Sequence, residues 1–531
     1  SVLALIGALS PPVARDSLVY HLSLPKLYLA IGSWQEIPQN IYSYFPGFIE
    51  ALYTAALATG NVYPALVHFG FGLACLLATR ELGQILGLQR KFMLLCLIAL
   101  VATPTFWSEM TWAYVDLGNT FFWLLAVIAF LRWAAERKQL WLILLGFSLG
   151  AAYGCKYTSL LLFMLVPLGL LLELRLDKNV SPGAAVKTLA IPLTVGLLTA
   201  SPWWLRNIYL TGNPFFPFFW HLFPSHAPAW DGDRADQFAV MLETYGGLHK
   251  GLTEYLLAPF RVFITAEMDD PVLYDGKLGW YYLLALPLVF FWRKQPRNIQ
   301  YIMGMVVIYL IYWTLSSQQA RFLLVILPLL SVLVALQLQT LTGSLAERFR
   351  LRKTPGRKNI ARLLLTGTVV SAIGLNSLNT VSIFRQERYL DYVLGNETKE
   401  EYLQRKLYYY DMYQFINTRL PLDADLLLVA TGNQGYYLER RFFSDAIFEE
   451  HTLLTIISES QSGQEVVQKV GQRGWTHLLI RLDYFIKSLE PDFQGEKTKK
   501  FHDFINSLQI INISKPFYLF KIPSGKNREV N

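Results

Sequence analysis

The chain has 531 residues, of which 53% are hydrophobic, 15% aromatic and 16% charged, against about 25% charged in an ordinary soluble domain, so water is not its main solvent. The net charge of +8 does not indicate a nucleic-acid partner, because the basic residues sit in short clusters between apolar runs, as they do in loops pinned to a cytoplasmic membrane face. The three cysteines, Cys75, Cys96 and Cys155, lie in or beside apolar runs at no zinc spacing and form no disulfide framework.

In chain order, the first apolar run, Ser1 to Ser10, is about half the roughly 20 residues that cross a bilayer. It reads as the end of a first span, with a cleaved signal peptide as the alternative. Asp16 to Ile31 then carries Leu18, Leu22, Leu27 and Ile31 at helical spacing among polar residues, and Pro46 to Ala58 repeats that character. Helices lying in the interface plane fit both stretches. Runs able to span follow at 63–83, 91–106, 115–131, 140–155, 157–174, 184–204, 277–292, 299–315, 319–340 and 360–382. With the incomplete first, about 11 spans are expected.

From about residue 385 the composition turns charged and alternating. Glu397 to Asn417 and Gln464 to Gln472 read as helices, Leu426 to Ala430 and His477 to Leu482 as strands buried on both faces, and Ile510 to Ile522 as a terminal pair of strands. No GxGxxG after a strand and no Walker loop suggests a nucleotide. The expected fold class is an α-helical polytopic membrane protein with a C-terminal soluble α/β domain. The membrane module covers 1–384, with interfacial helices in 16–58 and an external loop at 205–276, and the α/β domain covers 385–531.

Alternating connections allow the orientation to be read. One set holds Arg80, Arg90, Lys91, Arg132, Arg137, Lys138, Arg175, Lys178, Lys187, Arg293, Lys294, Arg297 and the cluster from Arg348 to Arg362, while short loops of the other set hold little beyond Lys156 and Arg321. The positive-inside rule then puts 11–62, 205–276 and everything after 383 on the extracytoplasmic side of the cell membrane.

Ionisable residues at spans are costly, so each is a functional hypothesis against a structural pairing. Asp16, His21, Glu109, Asp116, Lys156, Arg206 and Arg321 all fall at the outer ends, which favours one polar site over scattered ion pairs. Asp16 and Asp116 would also serve as helix caps, Arg206 would also snorkel beside Trp203 and Trp204, and His21 and His68 read as packed or hydrogen-bonded histidines rather than metal ligands. The acidic clusters Asp231, Asp233, Asp236 and Glu267, Asp269, Asp270 fit a solvated loop better than a metal site.

Four local patterns are similar to the polytopic GT-C glycosyltransferases, in the bacterial branch of the protein O-mannosyltransferases and the lipid A aminoarabinose transferase (glycosyltransferase family 39-like). Arg15-Asp16-Ser17-Leu18-Val19-Tyr20-His21 with Gly32 and Tyr44-Phe45-Pro46 resembles the first external loop, whose aspartate is the catalytic carboxylate. Trp112-Ala113-Tyr114-Val115-Asp116 resembles the second, which contributes another acid. Gly154-Cys155-Lys156-Tyr157-Thr158, and Arg206-Asn207 with Gly212-Asn213-Pro214, resemble later segments, and Gln319 to Pro328, with Arg321, resembles a late span supplying a basic residue for phosphate. The likeness covers about residues 10–330. One departure stands out: a single aspartate followed by serine replaces the Asp-Glu pair of the protein mannosyltransferases, which argues against a protein acceptor.

The resemblance implies a bacterial inner-membrane enzyme that moves a sugar from a polyprenyl-phosphate donor to an acceptor hydroxyl of unspecified glycan, lipid or protein, with inversion. Asp16 would be the general base, Lys156, Arg321 and Arg206 would hold the donor phosphate, and Asp116 would be a second catalytic acid. Tyr20, His21, Glu109 and Asn207 would position substrate; a divalent metal ion is left open. A transporter or lipid-linked-sugar flippase is the alternative of a different class, though no repeat relates the two halves and the ionisable residues are not at the midplane. A mere membrane anchor for the α/β domain would leave the outer polar set without a purpose.

Overall fold

The computed structural model describes residues 1–60, 63–177, 180–227, 230–247, 250–351, 355–445, 451–489 and 495–523. Lys178 and the side chains of the basic cluster from Arg348 to Arg362 lie outside the described residues. The chain divides into two compact units. The first is Ser1–Ser10 with Phe45–Val393, and the second is Pro11–Tyr44 with Leu394–Asn531.

The first unit is a helix bundle. Six of its described helices are long and apolar enough to cross a membrane: Ala65–Ile85, Asp116–Glu136, Tyr157–Leu176, Pro182–Thr211, Leu327–Ser344 and Leu363–Glu387. The remaining predicted spans are helical but shorter, broken or, for Arg297–Thr314, less apolar, and the breaks have local causes. The 91–106 run ends at Ala102 and restarts as Pro104–Glu109, because Pro104 forces Thr103 to be extended. The 277–292 run splits into a 3-10 segment, Trp280–Ala285, and a short helix, Leu286–Phe290, where Pro287 has no N–H to continue the ladder. The 319–340 run opens as a 3-10 segment, Ala320–Val325, before the long helix.

Small residues set the tightest packing. Gly146, Gly150 and Gly154 form one stripe along Gln139–Cys155, and a Cβ at Gly146 would sit 2.6 Å from the Pro192 carbonyl and one at Gly150 2.5 Å from that of Gly196. The Pro182–Thr211 helix can therefore lie directly on this backbone, the small-xxx-small contact favoured between helices in lipid. That helix continues through Arg206 and Asn207 until Gly212, at φ 79°, so both residues stand on a helix and not in the external loop expected from 205.

At one end of the bundle, carboxylates tie the basic residues together. Arg132 bonds Glu81 at 2.5 Å, and Glu173 receives Arg137 at 2.9 Å and the Tyr301 hydroxyl at 2.6 Å. Asp116 begins the helix that Arg132 and Arg137 close, and Lys156 and Arg321 gather beside it, so these three share the opposite end.

The second unit holds a five-stranded sheet in the order β2-β1-β3-β5-β4, with β1 Asp425–Val429, β2 Arg441–Phe443, β3 His477–Arg481, β4 Gln509–Ser514 and β5 Phe517–Lys521. β1 pairs with β2 and β3 in parallel, and β5 pairs antiparallel with β3 and β4. The central strands are buried on both faces, as their unbroken apolar runs predict. The expected single helix at 397–417 is two, Lys399–Lys406 and Tyr410–Arg419; the chain is extended at Leu407, and Leu407 and Tyr409 turn into the core. Pro11–Tyr44 forms a π turn, Ser17–His21, and a helix, Ser23–Ile31. Pro25 lacks the donor that would bond back to His21, which suits a widened turn there.

Candidate functional site

In the first unit, Asp116 opens the Asp116–Glu136 helix and Lys156 follows the last residue of Gln139–Cys155. The Lys156 ammonium donates to Asp116 Oδ1 at 2.6 Å, with the carboxylate side chain 4% exposed. Lys156 Nζ also stands 3.7 Å from the centre of the Phe322 ring. Arg321 lies 5.7 Å from the same ring and 5.1 Å from that of Tyr114, both within cation–π range, and its Nε donates to Gln319 Oε1 at 3.0 Å. Asp116 feels both cations, and Glu109, fully buried, acts on Lys156.

Two locks fix Lys156. Below it, Trp123 Nε1 donates to the Ser159 hydroxyl at 2.8 Å, which donates to Asn119 Oδ1 at 2.5 Å. Beside it, Asn207 Nδ2 donates to the Tyr157 hydroxyl at 2.8 Å, which donates to the Phe216 carbonyl at 3.0 Å. The residues on either side of Thr158 are thus held, and with them the backbone next to Lys156.

Asp116 is held by its own loop. The buried His68 accepts from the Leu117 N–H at 2.9 Å through Nε2, and its Nδ1 faces the Glu109 and Trp112 carbonyls at 2.7 and 3.0 Å. With an acceptor role at Nε2, the proton must be on Nδ1, so His68 is a neutral packed histidine. Tyr53 donates to the Tyr114 carbonyl at 2.5 Å. His68→Leu should strand a buried N–H, at a cost of about 1–3 kcal/mol, and lower the melting temperature of the purified protein; unchanged melting would show that the loop does not depend on it.

Arg206 and Asn207 form a separate hydrogen-bonded group. The Arg206 guanidinium donates to the Phe45 carbonyl at 3.0 Å and to Asn207 Oδ1 at 3.2 Å and stacks 5.6 Å from the Trp203 ring. These bonds brace the region around Tyr157.

Asp16, Tyr20 and His21 belong to the second unit. Asp16 precedes the π turn without capping it through its side chain, and the Tyr20 hydroxyl reaches its Oδ2 at 3.5 Å. Tyr20 stacks on Tyr42 at 4.2 Å and tilts against the buried His21 at 4.0 Å.

The acidic clusters have structural roles. Asp231 and Asp270 accept backbone N–H groups at 2.9 Å at turn and helix starts, Asp236 bonds His221 at 2.8 Å and Glu267 bonds Lys277 at 3.0 Å. Among the described residues, no group of three or more His, Cys, Asp or Glu side chains is arranged for a metal ion.

Sequence reasoning did not single out Phe322, Gln319, Tyr157, Asn119 or Ser159 as parts of this site. Tyr157, Gln319 and Phe322 stood within resemblance motifs, whereas Asn119 and Ser159 carry no signal in one sequence, since their roles arise only from helix rotation.

Two structures of ArnT from Cupriavidus metallidurans share this architecture. The apo form aligns with a TM-score of 0.59 at 13% identity, and the form bound to undecaprenyl phosphate with 0.57 at 14%; each alignment covers 99% of this chain and 97% of the other. The apo oligosaccharyltransferase of Archaeoglobus fulgidus aligns with 0.50 at 10% identity, over 90% of this chain and 68% of that one. The fold is therefore that of the GT-C membrane proteins, as the sequence motifs implied. No curated protein matches the chain. The family model described as "Domain of unknown function (DUF8201)" matches residues 47–328, more than half of the sequence, and the chain belongs to that family.

Proposed function

We propose that the chain is a multi-pass membrane glycosyltransferase that moves a hexose or pentose from a polyprenyl-phosphate donor to an acceptor hydroxyl on the extracytoplasmic face, with inversion. The observation that carries this reading is the pair of cations, Lys156 and Arg321, gathered on the Phe322 ring beside Asp116. Two like charges held together at helix ends suit an anion, and in a site of low dielectric their attraction for it is strong. The fold it shares with ArnT, solved with undecaprenyl phosphate, supports the class of donor.

The chemistry asks for this arrangement. The acceptor oxygen bonds to the anomeric carbon as the bond from that carbon to the phosphate oxygen breaks, and the electron pair stays on the phosphate. A phosphodiester with one negative charge becomes a monoester with two. Lys156 and Arg321 stabilise that growing charge, and Asp116 keeps the ammonium in place. Asp16, assigned by the motif it shares with the first external loop, accepts the proton of the hydroxyl. A single displacement inverts the sugar carbon.

Arg321→Met tests the phosphate role. Its affinity for undecaprenyl phosphate, measured on the detergent-purified chain by native mass spectrometry, is expected to fall at least about tenfold, the worth of one charge-assisted hydrogen bond. Wild-type affinity in that variant would contradict the assignment.

A further inference from the structure

Within the second unit, the loop leaving the carboxyl end of β1, residues 430–440, stands where open α/β sheets bind ligands. The chain itself lies on it. The π turn Ser17–His21 and the helix Ser23–Ile31 both pack on the 3-10 turn Gly435–Tyr437. Lys26 Nζ donates to the Tyr436 carbonyl at 2.7 Å and the Leu438 carbonyl at 2.9 Å, and the Tyr437 hydroxyl donates to the Pro12 carbonyl at 2.8 Å. Asp16 lies in the chain between these two anchors.

Both sides of the contact are stiff. Asn417 donates to the Tyr437 carbonyl and accepts from the Glu439 N–H, each at 2.9 Å. The buried Arg440 guanidinium donates to the carbonyls of Leu420 at 3.0 Å and Pro421 at 2.9 Å, and Tyr409 bonds Gln434 at 2.6 Å. The segment has its own small core of Leu24, Tyr28 and Ile37, with Tyr20 and Tyr42 against it, and Asn40 donates to the Val19 carbonyl at 3.3 Å. A stiff segment fixed at two points to a stiff loop has little freedom to shift Asp16.

We infer that the C-terminal α/β domain is the frame that positions the first external segment: the β1–β2 loop clamps it through Lys26 and Tyr437 and so sets where Asp16 stands. The inference rests on Asp16 being the base of the proposed transfer. Lys26 and Tyr437 are positioning residues, and the charge-assisted bonds of Lys26 are the stronger of the two anchors.

The test uses the full chain in detergent, with hydrogen exchange and with turnover of the undecaprenyl-phosphate hexose that the wild type consumes fastest. Lys26→Met is expected to speed exchange across residues 12–31 while β1 and β3 exchange as before. It should lower turnover about 10–100-fold, the scale of a misplacement near 1 Å, with KM for the donor within about twofold, because the phosphate contacts are elsewhere. Lys26→Arg should restore most of the turnover, and Tyr437→Phe should give a smaller loss in the same direction. Unchanged exchange in both Lys26→Met and Tyr437→Phe would overturn the clamp, and faster exchange with wild-type turnover would overturn its positioning role. If Asp16→Asn transfers at the wild-type rate while Lys26→Met exchanges faster, the role of Asp16 falls and the clamp is supported.

Discussion

Asp16→Asn is expected to lower sugar transfer about 10²–10⁴-fold, the usual contribution of a general base, while the protein stays monodisperse and folded. The carboxamide is nearly isosteric, and its oxygen can still accept from Tyr20, which approaches Asp16 Oδ2 at only 3.5 Å. What it cannot do is take a proton from the acceptor hydroxyl. KM for the donor should change little, since the proposed phosphate contacts are Lys156 and Arg321. Transfer by the variant at the wild-type rate would show that Asp16 is not the base.

The second large effect concerns the Asp116–Lys156 pair. The two side chains are 4% and 20% exposed, so Lys156→Met leaves a carboxylate buried without its ammonium, a change that costs about 3–5 kcal/mol. Melting of the purified variant should fall accordingly. Asp116→Asn/Lys156→Met removes both charges and should recover most of that stability, yet remain without transfer. Asp116→Asn alone leaves the ammonium with the Phe322 ring but without its carboxylate, so it should be less well placed and retain only part of the activity. A double variant as active as wild type would reduce the pair to a structural ion pair, whereas stability and transfer that separate in this way show that Lys156 serves the reaction as well as the fold.

Much of the architecture was legible because its signals are local. Long apolar runs mark spans by the thickness of the bilayer alone, and the runs at 426–430 and 477–482 mark central strands by their unbroken hydrophobicity. The breaks were not anticipated, although their causes are in the sequence: the expected spans 91–106 and 277–292 and the helical stretch from Asp16 run through Pro104, Pro287 and Pro25. Only six described helices are long and apolar enough to span, against about 11 expected, because some runs break and others, such as Gln139–Cys155 and Arg297–Thr314, are continuous but shorter or less apolar. The end of the bundle that carries Asp116, Lys156 and Arg321 could be read from the alternation of loops, whereas the bond between Asp116 and Lys156 could not, since it depends on the rotation of two helices set by Gly146, Gly150 and the Ser159–Asn119 contact. The association of Pro11–Tyr44 with the C-terminal residues was equally hidden, because nothing in Lys26 announces two carbonyls some 410 residues away. Long-range polar contacts of this kind have no periodicity to betray them.

Lipid-phosphate-dependent glycosyl transfer by this fold can be followed in a single assay. The full chain is reconstituted in sealed liposomes with undecaprenyl-phosphate hexoses and pentoses and an envelope extract as the source of acceptor, and free undecaprenyl phosphate is quantified over time. Protein-dependent release that needs the acceptor extract and disappears in Asp16→Asn is expected. Movement of intact lipid-linked sugar between leaflets, with no undecaprenyl phosphate formed from any donor, would contradict it.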